Sequence, residues 1–295
     1  MVERKELSRV IYEKDDGIAR IILNYPEHLN VWDFPGMGGL VDGFISALDL
    51  IEEDDDVKVV ILKGAGQAYS AGHDLKSVGF IYGMGMGKPE DRRPSQRARF
   101  KVDIGFWGSL HRRWFLFPKI TIAQIHGYCL EEGLLFAEEC DLSVAAEDAL
   151  IGHVGQRIGP AGGAIPTIPI LIATIGLKRT LDLFITGRKI SGREAERIGL
   201  VNRAVPPDKL EEEVETMAKA ACLLPKDGIV IGKLARQQAY EAMGLTSGFT
   251  DGPISHTILT NIRWEPDEYN FFKERRDKGV KVGFHARDAR YEGLV

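Results

Sequence analysis

Apolar positions along the chain recur in two periods. Short β-branched runs at Val10–Tyr12, Ile18–Leu23, Val57–Lys63, Ile120–Ile125, Leu142–Ala145 and Leu200–Val205 predict strands. The first two are joined by Lys14-Asp15-Asp16-Gly17, a hairpin signal. Helical spacing predicts helices over Gly38–Glu53, Phe106–Phe117, Leu130–Glu139, Ile165–Ile175, Leu177–Thr186 and Leu210–Leu223, with more helix over Gly228–Ala242, Ile254–Thr260 and Asp267–Lys278. Ser191 stands where a helix N-cap is expected. Strands and helices alternate early and helices dominate late, which predicts an α/β fold.

The organising stretch is Ile120 to Ile158: a buried strand, a turn at His126-Gly127-Tyr128, an apolar helix, a second strand and a loop around His153. A strand, a glycine turn and a helix N-terminus present free backbone N–H groups, though the same layout serves as an ordinary crossover. A second loop upstream, Tyr69-Ser70-Ala71-Gly72-His73-Asp74-Leu75, shifts the balance toward a site. Residues 79–107 combine Gly83-Met84-Gly85-Met86-Gly87 with a run holding Arg92, Arg93, Arg97 and Arg99. That composition predicts a mobile surface loop, or a cationic lid over an anionic ligand.

Composition removes other classes. The 295 residues are 44% hydrophobic, enough for a large core, and the net charge of −5 gives no footprint for nucleic acid. Cys129, Cys140 and Cys222 form no CxxC pair, which argues against a disulfide scaffold or structural zinc and for a reducing, cytoplasmic setting. The charged start MVERKELSRV lacks the apolar core of a signal peptide, and no apolar run is long enough to span a bilayer. No GxGxxG after a strand, P-loop, HExxH or GxSxG occurs.

Seven ordered blocks resemble the crotonase (enoyl-CoA hydratase/isomerase) superfamily. They are Ile22 to Asn30, Ser70 to Leu75, His126-Gly127-Tyr128, Cys140-Asp141-Leu142, Thr186-Gly187-Arg188, Glu194-Ala195 through Asn202, and Gly279 to Tyr291. The resemblance implies a spiral of β-β-α units over residues 1–205 and a C-terminal helical trimerisation region over 206–295. It also implies a homotrimer or hexamer, and an acyl-CoA thioester as ligand, with coenzyme A entering as part of the substrate and no other cofactor. The N–H groups of His73 and Glu132 would hold the thioester oxygen. His28, Ala71, Lys76, Tyr82, Gly133 and Arg287 match substrate-binding positions.

Two departures bear on chemistry. Relatives carry Gly-Gly-Gly where this chain has Glu131-Glu132-Gly133. The two acidic residues read either as solvated first-turn carboxylates or as a displaced catalytic acid or base. The two glutamates of family hydratases match Leu135 and Gly155 here, so paired-glutamate hydration is disfavoured. The loop Ile151 to Gly159 looks closer to dihydroxynaphthoyl-CoA synthases and ketocyclohexanecarboxyl-CoA hydrolases, which make or break a carbon–carbon bond, yet the aspartate of that branch is missing. His153, Glu131 and Glu132 are the proton-transfer candidates. His111 matches a dehalogenase histidine only one residue out of register. Hydration, isomerisation, hydrolysis and C–C cleavage stay open, as does a catalytically inert acyl-CoA binder.

Overall fold

The computed structural model describes residues 2–75, 95–159, 164–259 and 261–295. A seven-stranded sheet forms the backbone of the fold. Its strands are β1 (Glu3–Leu7), β2 (Val10–Asp15), β3 (Ile18–Leu23), β4 (Val59–Gly64), β5 (Ile120–Ile125), β7 (Leu142–Ala146) and β10 (Arg203–Val205), in that spatial order. The first three pair antiparallel and the rest parallel. All six residues of β5 are buried, as expected of a parallel strand covered on both faces. A second sheet of β6 (Tyr128–Leu130), β8 (Leu150–Gly152) and β9 (Lys189–Ser191) stands beside it.

The hairpin turns through Asp16 and Gly17, both at positive φ, the geometry that matches strand twist. Strand β1 follows no hydrophobic alternation: four of its five residues are exposed and charged, and it forms one edge of the large sheet. The sequence pattern therefore does not reveal it. Helix α1 (Leu40–Glu52) lays Leu40, Phe44, Leu48 and Ile51 into the core. There Trp32 stacks on Phe136 with centroids 4.2 Å apart and meets Phe44 edge-on.

The segment 79–107 requires correction. Residues 79–94 lie outside the described residues, as do Lys76 and Tyr82. Gln96–Val102 (α2) is helical, with a Ser95 cap accepting from the Ala98 N–H, and continues through a π-helical turn, Asp103–Gly108, into α3 (Ser109–Phe115). The helix before β5 thus begins ten residues earlier than periodicity suggests, because its charged first turns carry no apolar stripe. Of the aromatic residues there, Trp114 is core, donating its indole N–H to the Phe136 carbonyl, and Phe100 is exposed.

Later elements follow the expected order with shifted ends. Helix α4 (Glu132–Glu138) starts two residues later than expected. Helices α5 (Ile168–Ile175), α6 (Leu177–Thr186) and α7 (Gly192–Ile198) follow, the last capped by Ser191 accepting from the Glu194 N–H. Helix α8 (Leu210–Cys222) buries Leu210, Val214 and Ala218, and α9 (Lys226–Ala242) leaves Ile231 and Leu234 exposed. Helices α10 (Gly248–Leu259), α11 (Phe271–Lys278) and α12 (Val280–Ala289) complete the chain. No helix among the described residues is long and apolar enough to cross a membrane.

Candidate active site

A cavity of about 430 Å³ opens between the C-terminal end of the parallel sheet and the π-helical turn Asp103–Gly108 with helices α3, α4, α10, α11 and α12. The loop after β4 forms one wall. It is held by Ser70, whose hydroxyl bonds the Asn30 carbonyl at 2.8 Å and meets the Gly72 N–H at 3.2 Å. The Gly72 carbonyl accepts from the Trp32 N–H and the Asp74 N–H donates to the Trp32 carbonyl. Backbone groups alternate along an extended segment, so the His73 N–H points away from Trp32.

The opposite wall is the turn from β6 into α4. Glu132 opens the helix, where the first N–H groups have no intrahelical acceptor. Gly133 permits close approach: a Cβ there would lie 2.7 Å from Ser70 Cβ. Glu131 adopts φ 52, ψ −123, a conformation L-residues avoid and glycine accepts. Such strain costs on the order of 1–3 kcal/mol and clusters at functional sites. Two contacts enforce it. The Glu131 N–H donates to the Gly152 carbonyl at 3.1 Å, and its side chain rises where Gly72 leaves room, since a Cβ at 72 would come within 2.3 Å of Glu131 Cβ. Replacing Glu131 by Gly is therefore expected to leave the thermal midpoint unchanged or raise it by a few degrees, about 1 kcal/mol of relieved strain, while removing a carboxylate from the site. Differential scanning calorimetry checks this.

The solvated reading of the two glutamates is overturned for Glu132. It is 4% exposed, with Oε1 2.7 Å from His111 Nε2 and Oε2 3.1 Å from His73 Nε2. His111 Nδ1 lies 2.8 Å from Glu139, which is also buried. The result is a chain, His73–Glu132–His111–Glu139, running from the cavity wall into the interior, with His111 stacked on Phe136. Burial disfavours charge on His111, but the Glu139 and Glu132 carboxylates outweigh it and lift its pKa to about 10. Burial likewise opposes charge on Glu132, yet His73 and His111 hold its carboxyl well below the usual range. Burial dominates at Glu139, which has one imidazole partner, and raises it to about 7. His73 rises because the Glu132 carboxylate outweighs its burial. The Glu132 carboxylate, at the start of α4, is thus paired with two imidazoles.

The second carboxylate faces the cavity. Glu131 Oε2 lies 3.3 Å from His153 Nε2, and His153 Nδ1 lies 2.8 Å from Gln156 Oε1. A Cβ built on Gly155 would stand 2.6 Å from Glu131 Oε2. The carboxylate of Glu131 thus fills the space directly over Gly155, the position where the sequence resemblance expects a glutamate. Leu135, the other matched position, is buried and lines the cavity without acid or base capacity.

His28, Ala71 and Arg287 line the cavity, whereas Gly133 is buried against Ser70 and does not. Arg287 is not on the surface: it is 6% exposed, pairs with Asp288 at 2.9 Å and lies over the Phe284 ring. Sequence reasoning undervalued His111 and missed Asp103. Asp103, Trp107 and His111 repeat every four residues on one helix and all line the cavity, a spacing visible in the chain. Among the described residues no group of His, Cys, Asp and Glu is arranged to hold a metal ion.

Residues 13–250 match the sequence profile of the enoyl-CoA hydratase/isomerase family. A Mycobacterium tuberculosis protein bearing the provisional name enoyl-CoA hydratase EchA13 is 33% identical over 273 residues, 88% of this chain and 83% of that one. A Thermus thermophilus protein, provisionally named an enoyl-CoA hydratase, is 32% identical over 79% of this chain and 85% of its own length. The crystal structure of an enoyl-CoA hydratase/isomerase from Xanthobacter autotrophicus Py2 superposes with a TM-score of 0.79 at 28% identity, covering 97% of this chain and 99% of that one.

Proposed function

Because the chain belongs to the enoyl-CoA hydratase/isomerase family, we propose that it moves a proton on an acyl-CoA thioester through an enolate, with Glu131 as the acid/base group and His153 as the side chain that positions it. The observation that carries this is the Glu131 carboxylate over Gly155, in contact with His153. The carboxylate absent from the loop is supplied from the opposite wall. In this reading the His73 and Glu132 N–H groups receive the thioester oxygen. Removing one such donor from a site of this kind costs about 2.7–4 kcal/mol in the barrier. Glu131 takes the proton from the carbon beside the carbonyl and returns it along the chain, with His153, itself bonded to Gln156, holding the carboxylate in place. One acid/base centre suits a proton shift better than hydration, which in relatives uses two glutamates. His28, Ala71 and Arg287 are assigned to substrate contact, as are Lys76 and Tyr82, which lie outside the described residues. Coenzyme A enters as part of the substrate.

A panel of 2-enoyl-CoA, 3-enoyl-CoA and cyclic β-ketoacyl-CoA esters, followed by mass spectrometry and NMR, tests the assignment. Interconversion of the 2- and 3-enoyl esters without mass change supports it. Mass gain by one water redirects it to hydration or hydrolysis, and tight binding without turnover would establish an inert binder.

The family resemblance also motivates assembly as a trimer or a hexamer, and the exposed Ile231 and Leu234 on α9 offer an apolar face for it. Sedimentation equilibrium should give a mass three or six times the 32.7 kDa chain; a monomer would dismiss it.

A further inference from the structure

We propose that the side chains of His73 and Glu132 form a clasp that sets the spacing of their own backbone N–H groups, so that both reach one thioester oxygen. The proposal rests on the enolate reading above. Two donors each about 2.7–3.1 Å from one oxygen cannot stand more than twice that distance apart. Here they come from separate stretches of chain. Among the described residues, backbone bonds lace the loop after β4 to β6 only at Ser70. Its N–H donates to the Tyr128 carbonyl and its carbonyl accepts from the Leu130 N–H, both at 2.9 Å. His73 and Glu132 lie beyond that lacing on their respective stretches.

The next tie across the gap is the contact of His73 Nε2 with Glu132 Oε2 at 3.1 Å. The carboxylate is gripped at both oxygens, since Oε1 lies 2.7 Å from His111 Nε2, whose Nδ1 faces Glu139. A carboxylate fixed through both oxygens cannot rotate away, so it also fixes the ring bonded to it. That ring has no second polar anchor: its Nδ1 is buried without a hydrogen-bond partner. Trp107 meets it edge-on, with centroids 5.0 Å apart. Glycine at 132, which the sequence resemblance expects, would supply no such side chain. His111 and Glu139, which hold Glu132, are then positioning residues for both donors.

A merely structural ion pair would hold the walls together without tuning the donors. Acetoacetyl-CoA separates the two roles, because its enolate absorbs in the near ultraviolet and its keto form does not. Donors aimed at the oxygen lower the pH at which that band appears. On the full chain the band is expected at least about two pH units below that of the free ester. His73→Ala, which keeps the His111 contact of Glu132, should move it back up by about one to two units, a ten- to hundredfold loss. Octanoyl-CoA, which carries no enolate charge, should bind that variant within about threefold of wild type. His73→Gln keeps a neutral N–H donor for Glu132 and should stay within about half a unit of wild type. An unchanged band in His73→Ala would overturn the clasp, as would an equal loss of octanoyl-CoA affinity. So would a His73→Gln band displaced as far as that of His73→Ala, since imidazole charge and not spacing would then be at work. These outcomes leave the enolate reading standing. No shifted band in the unaltered protein, or no binding of either ester, would overturn that reading and the clasp with it.

Discussion

Glu131→Gln is expected to lower kcat on the ester found to turn over by about two to four orders of magnitude, the usual worth of a positioned acid or base. Gln keeps the size of the side chain and removes only its ability to take a proton. The strained backbone at 131 and its N–H bond to Gly152 are unaffected, so the melting temperature should hardly move. Steady-state kinetics of the purified variant checks both. A loss under tenfold would take Glu131 out of proton transfer and leave His153. A relocation experiment sharpens the point. Glu131→Gly combined with Gly155→Glu puts the carboxylate on the loop, where the family resemblance expects one. Recovery of even a hundredth of the parental rate, against none in Glu131→Gly alone, would show that the place of the carboxylate matters and its parent residue does not. Gly155→Ala is the converse: its Cβ would crowd Oε2 of Glu131, so it should depress kcat without adding or removing a charge.

His111→Leu is expected to destabilise the protein by about 3–5 kcal/mol, because it strips the shared partner from two buried carboxylates. For a chain of this size the thermal midpoint should fall by roughly 10 °C. The loss is pH-dependent with a fixed sign. His111 has a folded pKa of about 10, above its ordinary 6.5. Its contribution is fully present below the unfolded value and is lost as pH rises through about 10. Glu139, raised to about 7 from 4.5, acts in the same direction, costing stability as it ionises. Glu132, held low, stabilises above its unfolded value, and that gain fades as pH falls. The gap between wild type and His111→Leu should therefore be widest at mildly acidic to neutral pH and narrow toward both extremes. Thermal melts across pH 4 to 10 read it directly. A gap that widened toward pH 10 would mean His111 is neutral in the folded protein.

How much of this was legible in the chain depends on distance along it. Helix Leu177–Thr186 and the Ser191 cap are local, and both stand where the residues place them. So does β5, because an all-apolar β-branched run has few other fates in an α/β protein. The meeting of the His73 and Glu132 loops was legible only as a family likeness, since about 60 residues separate them in the chain. The His111 network escaped because its members are 21 and 28 positions apart and pair across helices. A lone histidine among Leu110, Trp114 and Phe115 reads as core. The start of α2 was hidden by charge: a run of arginines resembles a solvated loop until the cap at Ser95 is seen. The two glutamates at 131 and 132 look equivalent as neighbours, but the left-handed turn at Glu131 sends one side chain into the interior and the other into the cavity.

Strand β1 has a consequence for handling the protein. Among the described residues it pairs only on its β2 side, and its outer rim shows Glu3, Arg4, Lys5 and Glu6. Charges on an open edge deter a second molecule from zipping on. Without residues 2–8, the rim would become Val10, Ile11 and Tyr12, three buried apolar residues in a row. A shortened version would keep its cavity yet precipitate on concentration, so an affinity tag belongs upstream of Val2 as an extension and never as a replacement for those first turns of chain.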